Sequence, residues 1–446
     1  MTTIVDDPYP STPELVPILK RKLPKDIAIS SDLALIGLIN GFLGTGLLGL
    51  PMAFKNAGLY VGLVLLMIII LIDAYCMRMM VHGAHHFGKD RPHHAIDYAN
   101  VVREAVTASG PTCLRNHGRA VKLIVNGVIF TSSFGICCVY FVFIGSNLQQ
   151  VFNTWLDIRL TMVQWMAIML APVLLLALIR QLRYLALIAY VANVCYVVAI
   201  VITLQYLIRD HLPSRELPAF AGFSGLPLYF GTAMFSFEAI LLILPFENRC
   251  TDPHFFNRWN GPLNVGCIIT MCFYAAVGYY GYLKTGDAVQ DSITLNLPTD
   301  QPLYQVTKLL FVFNIYISYA YQFYPPIERI EKWLERKPFR ADPTMWQRHL
   351  ASYVIRILLV MVTFALAALI PHLTLFMSLV GSVATTFLAM VCPPLVYWMT
   401  MIDRDGFVPP YMYPVLIGIC GLGLVGLISG TYSSLLGIVE AFGTTT

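Results

Sequence analysis

Charge is scarce in this chain. Only 12% of its 446 residues are Asp, Glu, Lys or Arg, while 57% are hydrophobic; an ordinary soluble domain carries about 25% charged residues. A soluble body of this size needs a polar exterior, so most of this one has to face lipid. The polar gaps between apolar runs are too short to hold a soluble domain. Metal-type CxxC pairs and a disulfide framework are also missing. The ten cysteines lie mostly inside apolar runs, where they read as small buried residues. No Asn-x-Ser/Thr sequon marks a glycosylated loop. Lys and Arg sit in loops and form no basic stripe interleaved with aromatics, which excludes nucleic acid as a partner. The first apolar run, near Asp32, lacks a small-residue cleavage site and is followed by others, so it is expected to stay in the mature protein.

What the chain does have is a series of runs of about 20 apolar residues, each long enough to cross a bilayer. They predict an all-α integral membrane protein of about eleven spans: Leu33–Lys55, Leu59–Val81, Val121–Phe152, Met162–Ile179, Leu185–Ile208, Leu226–Phe246, Leu263–Leu283, Tyr304–Ile327, Leu350–Ile370, Leu373–Met401 and Tyr413–Val439. Positive loops set the orientation. One side collects Lys20 to Lys25, Lys89 to Lys122, Arg180, Arg183, Arg249, Arg258, Arg329 to Arg348 and Arg404; the other has little beyond Arg159, Arg209, Arg215 and Lys284. The amino terminus is therefore placed in the cytoplasm, and the carboxyl terminus outside the cell or in a lumen. The expected organisation is a leader over 1–31, a transmembrane domain over 32–440 and a short tail over 441–446. The domain divides into two inverted five-span repeats, roughly 32–208 and 226–401, with an extra helix at 413–439, a layout common among secondary transporters.

Two spans carry interruptions. In the first, Gly41, Gly44, Gly46, Gly49 and Pro51 fall within eleven residues, and each glycine costs about 1 kcal/mol and proline about 3 kcal/mol in a helix interior. Backbone unwound at membrane depth is tolerated only where it is buried in protein or lines a cavity. Amides opening the half-helix after Gly46 suit a carboxylate, and carbonyls closing the preceding half suit an ammonium or a cation. A zwitterionic amino acid matches both. The alternative use of these glycines is close helix packing. The sixth span holds Gly231-Thr232-Ala233-Met234-Phe235-Ser236-Phe237-Glu238, where an inverted repeat would put the partner break. An acid at the bilayer centre costs at least about 2.5 kcal/mol and usually faces a cavity. Glu238 is either a proton carrier or a tie between the unwound segment and its neighbours.

The run Gly44-Thr45-Gly46-Leu47-Leu48-Gly49-Leu50-Pro51 with Lys55-Asn56-Ala57-Gly58 resembles the first span of the proton-coupled amino acid transporters, in the amino acid/auxin permease group. The likeness continues through Cys137-Cys138-Val139-Tyr140-Phe141-Val142-Phe143, Phe230-Gly231-Thr232-Ala233, Phe235-Ser236-Phe237-Glu238, Leu244-Pro245, Glu247-Asn248, Ser292-Ile293-Thr294-Leu295-Asn296-Leu297-Pro298, Tyr319-Ala320 and Gln322-Phe323-Tyr324. The resemblance implies a LeuT-like 5+5 fold and symport of glycine, alanine or proline-like amino acids with a proton, in plasma membranes or in lysosomes and endosomes. It implies substrate binding by Gly44, Thr45, Gly46, Leu47, Tyr140, Phe235, Ser236, Phe237, Ser318 and Gln322. The lipid bilayer and the amino acid are the expected partners, no cofactor beyond the coupling proton is implied, and the oligomeric state is left open.

The chain departs from that family at Gly37, seven residues before Gly44, where the family has a histidine associated with proton coupling. A proton has to use another group here, Glu238 first and Asp73 next. Thr299 and Asp300 replace the family's cysteine after Pro298, so no extracellular disulfide is expected. Ala239 replaces a glycine beside the presumed pocket.

A rival chemistry is His82-Gly83-Ala84-His85-His86, with His93 and His94 nearby. Membrane di-iron enzymes use such boxes, but they need several, and His117, His211, His254, His349 and His372 are singletons. The cluster reads as a solvated patch or a pH sensor, and no enzyme is expected. Two further readings stay open: a membrane amino acid sensor that uses the same pocket without net flux, and a proton-independent facilitator. Glu14-Leu15-Val16-Pro17-Ile18-Leu19 resembles an endosomal and lysosomal sorting signal.

Overall fold

In the computed structural model of the chain, residues 29–89, 96–179, 182–209, 212–238, 240–336, 345–370 and 372–443 are described. The sorting motif, His93, His94, His211, Ala239, most of the leader and Thr444 to Thr446 lie outside them. Every predicted span falls on helix. The order is α1 (Ser31–Phe42), α2 (Thr45–Ala57), α3 (Leu59–Phe87), α4 (Tyr98–Ser109), α5 (Thr112–Arg115), α6 (Gly118–Leu156), α7 (Met162–Ala177), α8 (Leu182–Ile208), α9 (Leu226–Ser236), α10 (Ile240–Arg249), α11 (Pro253–Phe256), α12 (Pro262–Thr285), α13 (Pro302–Arg336), α14 (Met345–Leu369), α15 (Leu373–Val380), α16 (Cys392–Asp405) and α17 (Met412–Gly443). Among the described residues eight helical stretches are long and apolar enough to cross a membrane, and the bent pair α1–α2 makes a ninth. α7 is apolar but shorter, and α13 occupies the predicted eighth span. Two π-helical turns, Gly381–Thr385 and Phe387–Val391, join α15 to α16.

Lipid takes the place of water outside this bundle, so apolar residues lie on both surfaces, and the arrangement is set by close packing and buried polar pairs. α2 and α9 pack on each other, α2 also on α12, and α9 on α15; α6, α8 and α13 form the adjoining layer. Glycines allow the tightest approaches. A Cβ at Gly281 would strike Pro51, and one at Gly278 would strike the ring of Phe54. Gly58, at φ 97°, turns the chain between α2 and α3 in a conformation that L side chains rarely adopt. At one end of the bundle the loop between α12 and α13 is pinned down. Asp291 accepts from the Leu373 amide and the Thr374 hydroxyl, both at 3.0 Å. Buried Lys308 donates to Gln150 at 2.9 Å and to the Leu297 carbonyl at 3.1 Å, which spreads its charge over two oxygens.

Gly37 is sealed by packing. A Cβ there would collide with the ring of Phe246 on α10, so the place of the family's histidine is filled from across the bundle. Gly37→His is expected to lower the thermal midpoint of the purified protein through overpacking of about 1–3 kcal/mol, and Phe246→Ala in the same chain is expected to restore it. A Gly37→His protein as stable as the parent would refute this account of the position.

Candidate functional site

Both interruptions are breaks, and they meet. α1 and α2 are bent by 49°. The Leu43 amide closes α1 on the Ile39 carbonyl at 3.0 Å, Gly44 is extended (φ −136°), and α2 starts at Thr45. The helix thus restarts two residues earlier than expected. Gly46 and Gly49 lie within α2, where they serve close contact: Gly46 backs onto Ser236, and Gly49 onto Met377. The packing use of glycine, weighed as the alternative for the run, applies to these two, and only Gly44 stands at the turn. The second break ends α9 at Ser236, the Phe237 amide reaching the Ala233 carbonyl at 3.2 Å, and α10 resumes at Ile240.

Carbonyls released by the breaks find phenol hydroxyls. Tyr196 on α8 donates to the Gly44 carbonyl at 2.7 Å. Tyr274 on α12 lies 2.5 Å from the carbonyls of Phe42 and Ser236. These partners come from distant helices, as backbone buried at this depth requires. By contrast, α2 has no side-chain cap, and the Thr45 hydroxyl is buried without a hydrogen-bond partner among the described residues. That end keeps donors for an incoming anion.

A cavity of about 470 Å³ runs from the breaks toward the end of the bundle at which α1 begins. Gly44, Thr45, Gly46, Tyr140, Phe235, Ser236, Glu238 and Gln322 line its inner part, and Asp97, Pro245 and Asn248 its outer part. Glu238 accepts from the Ser132 hydroxyl through Oε1 in a short contact, while Oε2 is buried without a partner among the described residues. Gln322 donates weakly to the Ser133 hydroxyl at 3.4 Å.

Four sequence candidates stand outside this cavity. Leu47 is fully buried behind the first turn of α2. Phe237 stacks on Phe42 at 4.4 Å and braces the two breaks against each other. Ser318 bonds back to Asn314 at 3.5 Å along α13. Asp73 is buried on α3 away from the cavity, with no partner for either oxygen among the described residues. Sequence reasoning missed Ser132, Ser133, Tyr196 and Tyr274. Tyr196 and Tyr274 are each one hydroxyl in an apolar run, with nothing local to distinguish them from core residues, while Ser132 and Ser133 follow Thr131 in a short hydroxyl-bearing stretch that is the one local signal.

Among the described residues, the histidines of the cluster do not converge on one point. His85 meets Glu247 at 2.7 Å, His86 meets Asp403 at 2.8 Å, and His82 meets Arg404 at 3.1 Å. Each ring is engaged by a different residue on α10 or α16. Among the described residues no group of three or more His, Cys, Asp or Glu could hold a metal, and the cysteines are free thiols.

A bundle of membrane-spanning helices with two broken members and a cavity between them is the architecture of the LeuT-like fold. Solved structures share the fold at low identity: MhsT in complex with L-phenylalanine (11% identical, TM-score 0.50, 90% of this chain and 98% of that one); Mhp1, a nucleobase-cation-symport-1 family transporter (12%, 0.50, 93% and 92%); and a manganese transporter of Eremococcus coleocola (15%, 0.51, 93% and 86%). Residues 29–435 match the family described as transmembrane amino acid transporter protein. The chain is 30% identical over 409 residues to the proton-coupled amino acid transporter-like protein pathetic of Drosophila melanogaster, covering 91% of this chain and 84% of that protein. It is 27% identical over 421 residues to skat-1 of Caenorhabditis elegans, named a probable amino acid transporter, covering 93% and 91%. The chain belongs to the transmembrane amino acid transporter family, in the amino acid/auxin permease group. It is a multi-pass membrane protein of amino acid transport, and its relatives are named as transporters, not as enzymes.

Proposed function

We propose that this protein carries small neutral amino acids of the glycine, alanine and proline type by alternating access, in symport with a proton. The observation that carries the reading is the meeting of the two breaks at one cavity, with uncapped amides of α2 on one wall and Ser236 and Glu238 on the other. The substrate carboxylate lies against the amides of Thr45, Gly46 and Leu47, where the helix dipole favours a negative charge. Tyr140, Phe235 and Gln322 enclose its side chain. The close approach of Gly46 to Ser236 leaves little depth behind the carboxylate, which favours small substrates. Glu238 carries the proton, since it is the acid among the cavity-lining residues that stands at a break.

In this reading residues 32–208 and 226–401 are the moving repeats and 413–439 is an additional helix. The amino terminus is cytoplasmic, the carboxyl terminus lies on the other face, and the membrane is lysosomal, endosomal or plasma membrane. The test is uptake of a panel of labelled amino acids by the purified protein in liposomes, with and without an imposed pH gradient. Accumulation of small neutral amino acids driven by the gradient is expected. Binding without counterflow would instead make the protein a sensor, and flux indifferent to the gradient would make it a facilitator.

A further inference from the structure

Tyr274 stands on α12, against which both α1 and α2 pack. Its side chain is fully buried, and its hydroxyl lies at 2.5 Å from two carbonyls, that of Phe42 where α1 ends and that of Ser236 where α9 ends. Its ring meets Phe237 edge-on at 6.2 Å, and Phe237 stacks on Phe42. One residue outside the broken helices thus reaches both breaks at once. Tyr196 differs, since its hydroxyl serves the Gly44 carbonyl alone.

A phenol hydroxyl has a single hydrogen to donate. At any moment it satisfies one of the two carbonyls, and the other faces an oxygen that has no hydrogen to offer. Buried carbonyls of this kind are normally paired, and both Phe42 and Ser236 line the cavity. We propose that Tyr274 is a positioning residue for transport: it holds the ends of α1 and α9 at a fixed spacing, and the carbonyl it is not serving receives the ammonium group of the substrate. This rests on the reading of the cavity as an amino acid site.

Carbonyls freed by unwound membrane helices also coordinate small cations in transporters of this class. Here the hydroxyl occupies the point where two such carbonyls converge, and a cation is kept out of it. Without the hydroxyl, two oxygens would face each other with nothing between, and the breaks would move apart unless a cation entered.

The test is uptake kinetics of the full-length protein and of Tyr274→Phe in proteoliposomes, with either sodium or choline in the external medium. Phenylalanine keeps the ring and its contact with Phe237. The KM of the variant is expected to rise about tenfold while its maximal rate stays within about twofold, the pattern of lost substrate binding. Sodium, unlike choline, is expected to lower the variant's KM by about threefold and to leave the parent unchanged. A merely structural role would reduce the amount of active protein, and so the maximal rate, without moving KM. An unchanged KM in the variant overturns the proposal. So does a KM of the parent that depends on sodium, a measurement that needs no folded variant. A parent that takes up no amino acid at all removes the transport reading itself, which separates the two failures.

Discussion

Replacing Gly46 with leucine is expected to reduce amino acid uptake by about a hundredfold, the scale on which a displacement near 1 Å in a binding constellation acts. A Cβ at this position would stand 2.8 Å from the Ser236 hydroxyl oxygen and 2.9 Å from its Cβ, and closer still to the Ser236 backbone. Ser236 lies at the end of α9, so it cannot yield as the tip of a flexible side chain would. The variant has two outcomes open to it. Either the breaks separate, and the carbonyls of Phe42 and Ser236 no longer converge on Tyr274, or the side chain turns into the cavity and covers the amides of Thr45 and Gly46. Both remove the substrate site while leaving the lipid-facing helices intact. Gly46→Ala, which adds the Cβ alone, is expected to fall between the two. The measurement is initial uptake per reconstituted molecule, with size-exclusion behaviour as the check on folding. Leucine at position 46 with parental uptake would remove the site from between the breaks.

Glu238→Gln is expected to abolish the response of uptake to pH. For a proton symporter, acidifying the side of entry raises accumulation, and each pH unit across the membrane corresponds to about 1.4 kcal/mol, or roughly tenfold. Glutamine keeps the size of the side chain and can still accept from Ser132, so the tie to α6 survives while the exchangeable proton is lost. Uptake down an amino acid gradient is then expected to persist, and accumulation against it in response to an acidic exterior to vanish. Asp73→Asn is the necessary comparison, because Asp73 is a second acid buried in a span, with no partner for either oxygen among the described residues. Loss of pH-driven accumulation in Asp73→Asn with its survival in Glu238→Gln would move the proton to α3.

The two breaks differ in how plainly they are written. The first is dense in glycine, and the place of the turn was off by two residues because glycine permits both unwinding and close packing. Gly44 is used for the former, Gly46 and Gly49 for the latter, and only the partners Ser236 and Met377 distinguish the cases. The second break has a weaker composition and is read from its place in the inverted repeat together with Glu238, an acid too costly to place in lipid. Glu238 faces the cavity as an acid at that depth should. Leu47 and Phe237 stand next to cavity residues in sequence, but a helix turns each residue by about 100°, and the neighbour of a lining residue points elsewhere; Ser318 is one turn before Gln322 on α13 and lies outside the cavity.

The sequence by itself determined that the protein is a helical membrane bundle, where its apolar helices lie, and that two of them fail as continuous helices. These follow from local costs: apolar length against bilayer thickness, and glycine, proline or charge against the helix. Tertiary structure decided which freed carbonyls are answered by Tyr196 and Tyr274, which glycines are contact points, and that Phe246 fills the space beside Gly37. Those are pairings between residues far apart in the chain, and a hydroxyl or a missing Cβ acquires its role only from the atom placed opposite it.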